Sequence, residues 1–303
     1  MKIFTANSAR CTQCQISRIE EGFLSLGHEL TQNPSEADLI YQNNPWFEEI
    51  IALKEDGKLK PTAKIIFNIL DLCPHCTDFP ILKLMRQIEH ADAVTVISET
   101  VARDCEVKLQ NNIEFHVIYN PQMPVSYNKY LPKHQYKFLI IGRANDGNKR
   151  ILPAVHALQF LGVEEREVAV IGGDNIGWGT YLGVVSNQTL NELYNSADFL
   201  LMPSKNEGIG LPAIEAAGCG VIPVICNDLT TREEFFPSEL FPEYDYVTPS
   251  ANGICMFLAK YLQNEGEMKI AKARLYAHYQ NTLEEKFSGK SVAKAILDIY
   301  QIL

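Results

Sequence analysis

Leu200-Leu-Met-Pro-Ser-Lys-Asn-Glu-Gly-Ile-Gly-Leu-Pro-Ala-Ile-Glu-Ala-Ala-Gly-Cys-Gly220 is the stretch from which the rest of the chain is read. An apolar strand over 199–202 runs into a loop carrying Gly208 and Gly210. Pro212 then stands where a helix takes its first turn, a position at which proline's missing N–H costs nothing. Gly218 and Gly220 supply the backbone freedom that ends the helix, and the run 221–225 reads as a buried strand. Strand, glycine loop and helix start, in that order, aim unpaired backbone N–H groups and the positive end of a helix dipole at one place, which makes it an anion site.

Two carboxylates frame that place. Glu207 stands at the lip of the loop, and Glu215 falls in the first turn of the expected helix, where its side chain leans back toward the ligand space. Acids beside an anion site suit a ligand that carries both phosphates and hydroxyls, and a nucleotide sugar is such a ligand. Carboxylates accept from its hydroxyls while N–H groups and basic side chains hold its diphosphate. The plainer alternative is a dipole-favoured acid at Glu215 and a solvated loop residue at Glu207.

Pro203-Ser204, Glu207-Gly-Ile-Gly-Leu-Pro212, Glu215-Ala216 and Gly220-Val-Ile-Pro223 together resemble the donor-binding motif of the family-four retaining glycosyltransferases of GT-B fold. That family has Glu, seven intervening residues and Glu in this setting, as here. The resemblance implies Glu207 on the transferred sugar, the backbone of Gly208, Ile209, Gly210 and Leu211 on sugar or phosphate, and Glu215 on ribose. A second loop joins them. Gly142-Arg143-Ala-Asn-Asp-Gly-Asn-Lys149 follows an apolar strand and precedes a helix, and in the family an Arg and a Lys with five residues between them hold the donor diphosphate from this position. Arg143 and Lys149 match in type, spacing and context, so the resemblance places them with Glu207 in catalysis. Two fixed cations stabilise a departing nucleoside diphosphate without a metal. Gly173, after the next strand, and Val184 and Val185, ahead of a helix, resemble the segments that border the nucleotide base.

Outward from these motifs, apolar strands over 2–6, 37–42, 63–70, 93–97 and 114–119 alternate with helices over 15–26, 47–53, 79–90 and 98–109. Residues 120–132 hold three prolines and no regular period, which marks a linker. A second alternation follows, with strands at 136–141, 167–171 and 199–202, helices at 151–161 and 189–195, and three further helices at 251–264, 267–280 and 291–303. Strands apolar throughout, alternating with helices, predict parallel sheets covered on both faces. The fold class is therefore α/β, two Rossmann-like doubly wound domains facing a central cleft, which is also the GT-B architecture that the resemblance implies. The boundaries are an N-terminal acceptor-side domain over 1–122, with helix 289–303 returning to it, and a donor-binding domain over 134–288.

The 303 residues are 46% apolar and 21% charged, ordinary for a globular protein. A formal net charge of -10 argues against general nucleic-acid binding. No apolar run reaches transmembrane length, and the start turns polar too early for a signal peptide, so a cytoplasmic protein is expected.

The amino-terminal half departs from the family pattern. The turn Ala6-Asn-Ser-Ala-Arg-Cys11 lacks the glycines usual after the first strand, and Asp71 and His75 only approximate a customary histidine position. Of eight cysteines, Cys11, Cys14, Cys73 and Cys76 form two Cys-x-x-Cys pairs. If the strands before them were neighbours, four thiolates would suit a tetrahedral zinc site; ordinary loop cysteines are the default. The function expected is transfer of a sugar from a UDP- or GDP-linked donor to an unidentified acceptor, with retention and no cofactor beyond the donor. The rival readings are a GT-B-like binding scaffold without catalysis and a GT-B epimerase or hydrolase.

Overall fold

The computed structural model describes residues 1–6, 13–43, 48–70, 81–110, 113–143 and 145–303. The chain divides into two compact units, Met1–Gln122 with Glu284–Leu303, and Met123–Leu283. In chain order the first part contains β1 (Lys2–Ala6), α1 (Gln13–Ser25), β2 (Glu29–Leu30), β3 (Leu39–Gln42), α2 (Glu48–Glu55), β4 (Lys64–Ile69), α3 (Ile81–His90), β5 (Ala93–Val96), α4 (Glu99–Leu109) and β6 (Phe115–Val117). Then follow β7 (Phe138–Ile141), α5 (Ile151–Phe160), β8 (Val168–Ile171), β9 (Thr180–Gly183), α6 (Asn187–Tyr194), β10 (Phe199–Leu201), α7 (Leu211–Gly218), β11 (Ile222–Val224), α8 (Arg232–Phe235), α9 (Ala251–Leu262), α10 (Glu265–Phe287) and α11 (Gly289–Ile302).

The first unit is a parallel sheet in the order β2-β1-β3-β4-β5-β6. Its core joins Ile3, Ile16, Ile19 and Phe23 to Val292, Ala293 and Ile296 of α11. That packing needs two helices to touch through their backbones: a Cβ on Gly22 would fall closer than 3.0 Å to the Gly289 carbonyl oxygen, and one on Gly289 equally close to that of Arg18. The order corrects one expectation. β1 and β4 are not neighbours, because β3 lies between them with Ile3 opposite Leu39 and Leu39 opposite Lys64. The argument that drew the two cysteine pairs together therefore loses its premise. Cys11, Cys73 and Cys76, the side chain of Cys14, the turn after β1, Asp71 and His75 lie outside the described residues.

The second unit is a parallel sheet in the order β11-β10-β7-β8-β9. Leu139, Ala169, Leu200, Ala216 and Val221 meet in its core. Pro223 has no N–H to give a ladder and sits on the edge strand β11, where none is needed on the outer side. From β7 the chain proceeds to β8 on one side and returns through β10 on the other. The gap between the carboxyl ends of β7 and β10 is thus the topological switch point, the place where open parallel sheets bind ligands. The loop 142–150 leaves β7 and the loop 202–210 leaves β10, so both motif loops open at this point.

Candidate functional site

The centre of the site is an ion pair between these loops: Lys149 Nζ donates to Glu207 Oε1 at 2.6 Å. Both side chains are mostly buried, at 21% and 15% exposure, so the pair is shielded from bulk water. Among the described residues the lysine spends one N–H on this bond and Glu207 Oε2 has no protein donor. The pair therefore offers both donors and an acceptor to a ligand. Arg143 does not join it. Its guanidinium, 72% exposed, pairs with Asp146 at 2.8 Å, and the other Asp146 oxygen caps the 3-10 turn Gly147–Lys149 by accepting from Asn148 N.

Arg150 ties the base of the first loop down. It holds a left-handed backbone (φ 47°), a conformation costing about 1–2 kcal/mol for a residue with a side chain. Its guanidinium donates to the Pro203 carbonyl at 2.7 Å and forks onto Asp228 at 2.7 and 2.8 Å. The hydrogen bond from Arg150 holds the Asp228 carboxyl below its ordinary range. The floor of the site is set by two glycines. Gly142 N donates to Ile171 O, and Gly172 (φ 143°) lies so close to the Gly142 carbonyl that no Cβ fits between them. Gly173 beside it is exposed with open space around it.

Gly210 (φ 85°) is the N-cap of α7, Ile209 and Gly210 are buried, and Gly208 and Leu211 are half-buried. Val184 projects into solvent at 86% exposure, whereas Val185 packs against the core of the unit. Gly183, preceding them, accepts from Gly172 N with its carbonyl at 3.0 Å.

Glu215 requires a correction. α7 begins at Leu211 with Pro212 in its first turn as expected, but that turn holds no acidic residue, and Glu215 lies in the second turn. Its side chain is 5% exposed and works inside the protein, accepting from Met123 N at 2.8 Å and from Tyr194 Oη at 3.2 Å. Burial and then the Glu215 charge push the neighbouring Cys219 thiol up to about 12, and burial with the same charge raises the Tyr194 hydroxyl well above its usual value. The structure thus unites Lys149 with Glu207, sets Arg143 on the rim, and turns Glu215 from α7 into the interior. Asn148, Arg150, Asp228 and Thr230 were missed. Asn148 and Arg150 lie in or beside the quoted loop, and only their partners reveal them; the segment 226–231 carries no motif.

A family model described as Glycosyl transferases group 1 matches residues 179–247. O-antigen chain mannosyltransferase B of Escherichia coli is 32% identical over 132 residues, 43% of this chain and 32% of that protein, so the chain spans about a third of that relative's length. Sucrose-phosphate synthase of Thermosynechococcus elongatus superposes with a TM-score of 0.76 at 14% identity, covering 100% of this chain and 98% of that one. HepE of Anabaena, solved in complex with UDP, superposes with a TM-score of 0.69 at 13% identity, covering 100% of each chain. The chain has the GT-B fold, and its residues 179–247 match the glycosyl transferases group 1 model.

Within this GT-B chain the matched region begins just before β9 and ends after the 3-10 turn Pro242–Tyr246. It contains Glu207, the glycine loop, Glu215 and Thr230, while Arg143 and Lys149 precede it. Among the described residues no cluster of three or more His, Cys, Asp or Glu side chains is placed to hold a metal ion, and no helix is long and apolar enough to cross a membrane.

Proposed function

We propose that this protein transfers a sugar from a nucleoside-diphosphate sugar to an acceptor hydroxyl with retention of configuration. The observation that carries the reading is the shielded Lys149–Glu207 pair at the switch point of the second unit, beside the glycine loop that opens α7. In this reading the Lys149 ammonium and, from the rim, Arg143 bind the diphosphate, so that no metal is called on for its charge. Glu207 Oε2 accepts from sugar hydroxyls, and the backbone of Gly208 to Leu211 lies along sugar or phosphate. Gly142 and Gly173 let the nucleotide approach the sheet edge, with Val184 and Val185 bordering the base. The anomeric carbon–oxygen bond breaks with its electron pair leaving on the diphosphate. The acceptor oxygen bonds the same face of the carbon, and its proton passes to the departing phosphate oxygen. Glu215 reaches ribose only by sharing or losing the Tyr194 hydroxyl, since both its oxygens already accept from the protein.

The test is nucleotide release from a panel of UDP-, GDP- and ADP-sugars, run beside Arg143→Ala. Release from one donor, reduced on the order of 10²–10³-fold in the variant, is expected. Failure of every free nucleotide to bind would overturn the reading.

A further inference from the structure

We infer that Asn148 is a positioning residue that fixes Glu207 for the sugar, an inference that rests on the reading above. Its carboxamide bridges the switch point in both directions: Nδ2 donates to the Asn206 carbonyl at 2.7 Å, and Oδ1 accepts from Asn206 N at 2.8 Å. Its own carbonyl accepts from Lys205 N at 3.0 Å. One side chain thus reproduces the reciprocal donor and acceptor pairing of a strand peptide, just past the point where the β7–β10 ladder stops at Ile140 and Leu201. The residues on either side of this bridge are the functional pair, since Lys149 follows Asn148 and Glu207 follows Asn206.

The far side of Glu207 is held by Thr230. Its Oγ1 lies 3.3 Å from Glu207 N and 3.4 Å from Glu207 O, and its N–H donates to Lys205 O at 3.0 Å. The backbone beneath Glu207 is therefore clamped from two elements, while among the described residues its side chain has a single partner, Lys149. A group held in this way keeps one carboxylate oxygen aimed at the ligand without needing a second side chain to orient it. Lysine has other supports, because the 3-10 turn that carries it is capped independently by Asp146. Loss of Asn148 therefore disturbs the position of Glu207 more than the charge on the diphosphate.

The experiment compares wild type with Asn148→Ala and Asn148→Asp, and with Thr230→Val on the other flank. Amide hydrogen exchange at Lys205, Asn206 and Glu207 is expected to quicken in Asn148→Ala while β10 amides keep their wild-type rates. Turnover of the accepted donor sugar is expected to fall on the order of 10²-fold, with affinity for the free nucleoside diphosphate within about twofold of wild type. Unchanged exchange would overturn the clamp. Quickened exchange with unchanged turnover, or with nucleotide affinity falling as far as turnover, would overturn its role toward Glu207. Wild-type silence on every donor would instead overturn the transfer reading and reduce Asn148 to a loop tie, a result the exchange data distinguish from failure of the clamp.

Discussion

Gly172 and Gly173 are adjacent glycines in very different surroundings. In Gly172→Ala the new methyl meets the Gly142 carbonyl oxygen inside 3.0 Å and its carbon at 3.1 Å, on a backbone held at φ 143°. The conformational cost is about 1–2 kcal/mol. The clash adds about 1–3 kcal/mol, because its partner is backbone anchored by the Gly142 N–H to Ile171 carbonyl bond and has no rotamer to change. The sum, about 2–5 kcal/mol, is a large part of the roughly 5–15 kcal/mol that holds a domain together. With a mid-range urea slope of about 2 kcal/mol per molar, the midpoint for the second unit falls by roughly 1–2.5 M. Trp178, in the same unit, serves as the fluorescence reporter. Gly173→Ala, with nothing within 4 Å, is expected to stay within about 0.5 kcal/mol of wild type. Equal losses in the two variants, or none in Gly172→Ala, would refute the close approach of the two loops.

Substitutions at two further positions test the surroundings of the site. Glu215→Leu strands the Met123 N–H and the Tyr194 hydroxyl in the interior and should destabilise by about 2–5 kcal/mol in urea, whereas Glu215→Gln should cost about 1 kcal/mol. If ribose also uses this carboxylate, Glu215→Gln weakens binding of a free nucleoside diphosphate measured by calorimetry; unchanged affinity confines Glu215 to the interior. Asp228 has a folded pKa below its unfolded one, so its contribution is fully present above the ordinary carboxylate range and is lost as pH falls through the depressed value. Asp228→Asn should flatten the decline of the urea midpoint between about pH 5 and about 2, and an unaltered slope would contradict the coupling to Arg150.

The parallel strands and their helices were legible because the signals are local: apolar runs of strand length alternating with segments of helical period. The Lys149–Glu207 site was legible as two loops, since each follows a strand and opens a helical segment. What bridges them was not. Asn148, Thr230 and Asp228 are ordinary polar residues whose meaning lies in partners remote in sequence. β9 was missed because glycines bound it and its burial shows no clean alternation. α10 was read as ending at 280, although Leu275, Tyr279, Leu283 and Phe287, all buried at four-residue spacing, carry it to Phe287. The strand order of the first unit escaped for a different reason, as pairing partners are a global property that no single segment encodes.

The seat of α11 on α1, glycine against glycine, bears on how the protein is made. At the usual pace of a ribosome, about 5–20 residues per second, roughly ten to forty seconds separate synthesis of Gln122 from the end of α11. For that interval Ile16, Ile19 and Phe23 have no Val292, Ala293 and Ile296 to cover them. Met123–Leu283 is contiguous and can complete its own core in the meantime. The half begun first is thus closed last, and its apolar helix face is the surface that a nascent-chain chaperone would find uncovered.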